Sequence, residues 1–187
     1  MGQVIYSMSV SLDGFIAGPG GEIDWSAPDE ELMQFHNEQT GQIAAVLCGR
    51  RLYQDMLPWE TAEQSRSSPG ELEFARIWNP IPKVVFSTTL QNVAGNARLA
   101  RGDVAAEVAA AKQQPGTGVV SAGGAGLAAS LIALDVIDSY RLFLTPAVLG
   151  GGTPYFPPGA ARKTLDLAET HVFRSGVTYL RYERHRG

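Results

Sequence analysis

Three apolar runs in this chain end at glycine or a hydroxyl residue and give way to new structure: AAVLCG before RRLYQDML, KVVFST, and GVVSAGG before AGLAASLIAL. Short apolar runs bounded in this way read as buried strands. In the segment after the third, Leu127, Leu131 and Leu134 recur at helical spacing. Strands joined through helices must cross over, so neighbouring strands lie parallel and both faces of the sheet need covering. This alternation restricts the chain to an α/β fold with a mainly parallel sheet and helices on both faces.

The remaining segments fit that frame. Residues 3–10 read as a strand. APDEELMQFHNEQTG reads as a helix with acids in its first turn, and His36 falls on its apolar face as a packed core residue. A proline-bounded stretch, 58–82, holds a possible helix, ELEFARIW. ARLAR is a short strand, and DVAAEVAAAKQQ is a helix with an aspartate cap, closed by Pro115-Gly116. DSYRLFLTPAVLG is a long apolar strand, and the tail divides at Ser175-Gly176 into two alternating segments, a C-terminal antiparallel hairpin. Without a repeat or linker, the expectation is a single domain over 1–187.

Composition narrows the function. No apolar stretch reaches the length of a membrane-spanning helix, and the N-terminal residues lack a signal-peptide pattern, so a cytoplasmic protein without a membrane partner is expected. The one cysteine, Cys48, suits a reducing compartment. A net charge of −4 argues against nucleic acid as partner. The cations are mostly arginine, twelve against three lysines, which suits phosphate and carboxylate recognition. No serine-hydrolase, P-loop or dinucleotide glycine motif is present, and His36, His171, His185 and Cys48 have no metal-ligand spacing, so no metal is expected.

In an open α/β sheet, ligands bind beyond the carboxyl ends of the strands. Gly49-Arg50-Arg51, Ser87-Thr88-Thr89 and Gly123-Gly124-Ala125 all fall there. Glycine lets a backbone approach closely, arginines suit a phosphate, and hydroxyls can donate to one. Taken singly these are turns and helix starts; together on one edge they favour a polyphosphate ligand.

The ordered set SLDGFIAG, WSAPDE, GRRLY, KVVFST, SAGGAGL and LFLTPAVLGGGTPYFP resembles the dihydrofolate reductase superfamily, and within it the C-terminal reductase domain of bifunctional riboflavin biosynthesis proteins. The resemblance implies a sheet of about eight strands and an NADPH site. By position, Gly49, Arg50 and Arg51 match the motif that meets the 2′-phosphate and pyrophosphate. Ser87 and Thr88 match hydroxyls near the same phosphate and adenosine. Gly123, Gly124 and Ala125 match the paired glycines beside the pyrophosphate, whose connecting peptide is expected to be cis. Ile16, Ala17 and Gly18 match a mobile loop over the nicotinamide, with Asp13-Gly14 turning the chain off the first strand. For a proton donor the resemblance favours Glu30 in a dry pocket opposite Thr145, with Asp29 and then Asp13 behind it.

The chain departs from the riboflavin-pathway pattern at Ser7, where a lysine is usual, at Ala122, where glutamate is usual, and in 58–82, which lacks a recognisable phosphoribosyl-binding stretch. The expected function is an NADPH-dependent reductase of a small pyrimidine- or pteridine-like molecule, similar to 5-amino-6-(5-phosphoribosylamino)uracil reductase or dihydrofolate reductase. The alternative is a non-catalytic sensor of NADPH or a metabolite. A homodimer is expected, built on LFLTPAVL and the terminal hairpin.

Overall fold

The computed structural model describes residues 2–65, 68–116 and 118–185; the expected domain limits at 1 and 187 lie outside them. Ten strands and six helices follow in the order β1 (Gln3–Ser11), β2 (Phe15–Ala17), α1 (Glu30–Thr40), β3 (Ile43–Gly49), α2 (Arg50–Met56), α3 (Ala62–Ser65), α4 (Pro69–Trp78), β4 (Lys83–Phe86), β5 (Ala97–Leu99), α5 (Val104–Ala111), β6 (Val119–Gly123), α6 (Ala125–Ala133), β7 (Ser139–Thr145), β8 (Thr153–Pro154), β9 (Leu165–Val172) and β10 (Thr178–Arg184). Eight strands form one sheet in the order β5-β4-β3-β6-β1-β7-β10-β9. From β5 to β7 all pairs are parallel; β10 runs antiparallel to both β7 and β9, closing the chain in a hairpin. β2 and β8 form a separate antiparallel ribbon.

Alternation along the central strands sorts side chains to two cores. Val4, Tyr6, Ala45, Leu47, Val120 and Ala122 pack with Val108 of α5 and with Leu127 and Leu131 of α6. Their neighbours on the other face, Val46, Cys48 and Val85, pack with Tyr53 of α2 and Trp78 of α4. Further along that face Leu32 of α1 meets Phe143 of β7 and Tyr179 of β10. Period-two alternation over a sheet covered on both sides produces this division.

Local chemistry sets the element ends. Helix α1 starts at Glu30 because the Asp29 carboxylate accepts from the backbone N–H of Leu32 at 2.9 Å. Strand β4 stops at Phe86 because the next hydroxyl, Ser87 Oγ, accepts from the N–H groups of Thr89 and Leu90 and bends the chain away. β7 lies between β1 and β10, so it offers no free edge to a second copy; the edge strands are β5 and, in the terminal hairpin, β9, where Leu167 and Val172 are exposed.

Candidate active site

Register fixes where the three glycine and hydroxyl junctions meet. Gly49 pairs with Phe86, and Cys48 with Gly123, so Arg50, Ser87 and Gly124 emerge together one step beyond β3, β4 and β6. A cleft of about 1010 Å³ opens there. Its wall includes Gly49, Arg50, Arg51, Ser87, Thr88, Gly124 and Ala125, and on the far side Ile16 and Ala17. Nine of the eleven positions expected to hold a cofactor therefore share one cavity.

Each junction is built for close approach. Gly124 caps α6 at φ +93°, and a Cβ there would sit 3.3 Å from the Gly49 backbone nitrogen, so two strand ends touch through bare backbone. The Gly123–Gly124 peptide is trans, because no peptide among the described residues is cis; the positive φ of Gly124 carries the turn instead. Arg50 and Arg51 are exposed, and among the described residues neither guanidinium has a hydrogen-bond or ion-pair partner. The Ser87 oxygen accepts from two backbone N–H groups and lies 3.4 Å from Thr89 Oγ1, a hydroxyl pair on the cleft wall. Two free forks, a hydroxyl row and a glycine-lined helix start together make a donor set that fits a phosphorylated dinucleotide.

Sequence reasoning missed part of the wall: Gly102 and Val104 from the β5–α5 junction, and Met8, Ile23 and Thr153 at the opposite end. The first of these was open to discovery, since ARLAR also runs into a glycine and a capped helix. Glu107 shapes that junction. It is 5% exposed, takes both terminal nitrogens of Arg98 at 3.0 and 2.6 Å, and accepts from the N–H groups of Arg101 and Gly102. The Arg98 guanidinium holds its carboxyl at about 2, well below the usual range.

Gly18 and Gly123 are not on the wall. A Cβ on Gly18 would strike the Glu22 carboxylate, and one on Gly123 would strike Leu52, so both are packing glycines. Ile16 and Ala17, expected in a loose loop, form the short strand β2 and pair with β8. Gly14 carbonyl accepts from Tyr155, whose ring stacks on Tyr6 at 4.3 Å; each tyrosine hydroxyl donates to the other's carbonyl.

None of the four residues considered for proton transfer lies on the cleft wall. Glu30 is exposed at the start of α1, not in the dry pocket expected, and Asp29 is occupied as the helix cap. Thr145 ends β7, its hydroxyl donating to the Phe143 carbonyl at 3.4 Å. Asp13 accepts from Ser11 Oγ at 2.7 Å, from the N–H of Gly150 at 2.7 Å and from that of Leu149 at 3.1 Å. The Ser11 hydroxyl and then these N–H groups hold its carboxyl below the usual range. His36 packs on Phe143 at 4.4 Å, and burial pushes its imidazole down to about 4.

A mostly parallel eight-stranded sheet ending in β7-β10-β9, with its cleft at the carboxyl ends of β1, β3, β4 and β6, defines the fold of the dihydrofolate reductases. Dihydrofolate reductase from Enterococcus faecalis, solved with NADP(H) and RAB-propyl, superposes with a TM-score of 0.65 at 16% identity, over 98% of this chain and 97% of that one. The chain belongs to the RibD C-terminal domain family, which it matches over residues 3–179. It is 32% identical over 182 residues to the protein YyaP of Bacillus subtilis (strain 168), covering 96% of this chain and 94% of YyaP. A putative riboflavin biosynthesis protein from Shewanella sp. PV-4 superposes over the full length of both chains with a TM-score of 0.75 at 22% identity. No helix among the described residues is long and apolar enough to cross a membrane.

Proposed function

We propose that the protein is an NADPH-dependent reductase of a small heterocyclic substrate, pyrimidine- or pteridine-like. The observation that carries this reading is the convergence of Arg50, Arg51, Ser87, Thr88 and the Gly124 turn on one cleft of about 1010 Å³. Membership of a reductase-domain family and the shared fold of an enzyme solved with NADP(H) support it. A site of that size stands at the upper end of the ~300–1,000 Å³ common for small-molecule pockets, which suits a dinucleotide and a second ring together.

When bound, NADPH supplies the hydride. Arg50 and Arg51 hold the 2′-phosphate with charge-assisted hydrogen bonds, and Ser87 and Thr88 donate to it from the next strand end. The backbone of Gly124 and Ala125 at the start of α6 meets the pyrophosphate, with Gly123 setting the approach. Ile16 and Ala17 on the ribbon, backed by the Gly18 turn, cover the reacting ring and exclude water. Glu30, the one of the three acids whose carboxyl has no partner among the described residues, is the proton source in this reading; it stands exposed and off the cleft wall, so its proton would pass to the substrate along water. Two copies pair through the exposed β9 edge, an arrangement that light scattering would check.

The decisive test is NADPH oxidation over a panel of pterins, pyrimidines and quinones, with cofactor binding measured in parallel. Glu30→Gln is expected to keep NADPH affinity and to lower turnover about 10²-fold. Unchanged turnover would move the proton to ordered water, and binding without oxidation of any compound would make the protein a sensor.

A further inference from the structure

Charge is unevenly distributed along the cleft. Its ionisable wall residues, Arg50, Arg51 and Asp55, all stand on α2. The sheet order puts the other end against β1 and the ribbon, where Met8, Ile16, Ala17, Gly20, Ile23 and Thr153 form the wall. Of these only Thr153 brings a side-chain oxygen or nitrogen.

The chain that leaves this end is acidic. Between Gly20 and Glu31 there are five carboxylates, Glu22, Asp24, Asp29, Glu30 and Glu31, and no lysine or arginine. Glu22, Asp29 and Glu31 accept from backbone N–H groups, and among the described residues none of the five meets a cationic side chain. Glu22 and Asp24 flank Ile23, which is 47% exposed at the mouth.

We infer that the molecule reduced here is a flat, neutral or protonated ring that carries no phosphate or carboxylate. The inference rests on the reductase reading and names the substrate class within it. A phosphate pressed against Met8, Ile16 and Ile23 would lose water without gaining a cation. In solution it would meet the five-carboxylate segment, whose repulsion acts over a Debye length of about 8 Å. An uncharged ring loses little hydration on the same wall and gains dispersion contact, with the Thr153 hydroxyl for one polar edge. Reduction adds a hydride to one atom of its C=N or C=O bond and a proton to the other, and the cofactor leaves as NADP⁺. Ser7 and Ala122 agree with this: Ala122 is buried in the sheet, and neither residue supplies a charge.

Titration calorimetry on the NADPH-saturated protein, with an aminopyrimidine ribonucleoside and its 5′-phosphate as a matched pair, tests the inference. The nucleoside is expected to bind at least about tenfold more tightly than the phosphate, from the like-charge repulsion. The gap should narrow as ionic strength rises and in Asp24→Lys, whose parent side chain is exposed in a short 3-10 turn and outside the proposed machinery. Equal or tighter binding of the phosphate overturns the inference, as does a gap indifferent to both salt and Asp24→Lys, or failure of both compounds to bind while NADPH binds. Failure of NADPH itself to bind removes the reductase reading, and the inference falls with it.

Discussion

Gly152 lies so close to the carbonyl of Ala17 that a Cβ on it would overlap that oxygen and stand 2.8 Å from the Gly18 carbonyl carbon. Its φ of +127° also excludes a side chain. This contact lets β8 run beside β2, and β2 carries Ile16 and Ala17 to the cleft. Gly152→Ala should destabilise the fold by about 2–4 kcal/mol through overpacking and backbone strain. Thermal denaturation with and without NADPH checks this; the variant should lose more of the NADPH-induced stabilisation than of the intrinsic melting temperature.

Asp13 joins the two loops that carry the ribbon, because its carboxylate takes N–H groups from Leu149 and Gly150 while Ser11 Oγ bonds both Asp13 and the Phe15 N–H. A carboxyl held ionised in this way positions the ribbon and has no proton to give. Asp13→Asn should weaken NADPH binding several-fold and leave the shape of the pH–rate profile as it was. A profile that loses its acidic limb in this variant would instead place Asp13 in proton transfer.

The two arginines give a cofactor-choice prediction. Each charge-assisted contact to the 2′-phosphate is worth about 1.5–3 kcal/mol, so Arg50→Ala and Arg51→Ala should each weaken NADPH binding roughly tenfold to a hundredfold. NADH affinity should hardly change. Equal loss for both cofactors would show that neither arginine reads the 2′-phosphate.

Acid should destabilise the protein in two stages. With His36 held at about 4, the unfolded chain takes up a proton between its ordinary 6.5 and that value while the folded chain does not. Its contribution is therefore complete above pH 6.5 and is lost as the pH falls toward 4, by at most about 3–3.5 kcal/mol. Glu107 acts lower: its stabilisation is complete above 4.5 and is lost as the pH falls toward 2. Melting temperature against pH should show both limbs, and His36→Leu should remove the first alone.

The sheet and the meeting of the arginine, hydroxyl and glycine junctions at one end of the cleft were legible because their signals are local. Each strand, its glycine and its helix lie within about twenty residues, and the crossover follows from the order of elements. The β2–β8 ribbon was not legible in the same way. Residues 15–17 pair with 153–154, and Asp13 with 149–150, across a separation that no window of sequence spans. Asp13-Gly14 looks like an ordinary turn pair until its partners are seen. The acids near Trp25 were ambiguous in sequence: Asp29 caps a helix and Glu30 faces water, which first-turn carboxylates do whether or not a site lies nearby.

The β2–β8 ribbon shares no ladder hydrogen bond with the eight-stranded sheet and is fastened at its roots, by Asp13 on one side and by the Tyr6–Tyr155 pair on the other. It is therefore expected to open as a cooperative unit of its own, a small foldon beside a stiffer one. Amide protons of residues 15–17 and 153 should exchange together, well ahead of those in β1 and β6. On the proposed function, those two fastenings set how long the cleft stays shut, and evolution can adjust them without altering a residue of the cleft wall or the sheet that supports it.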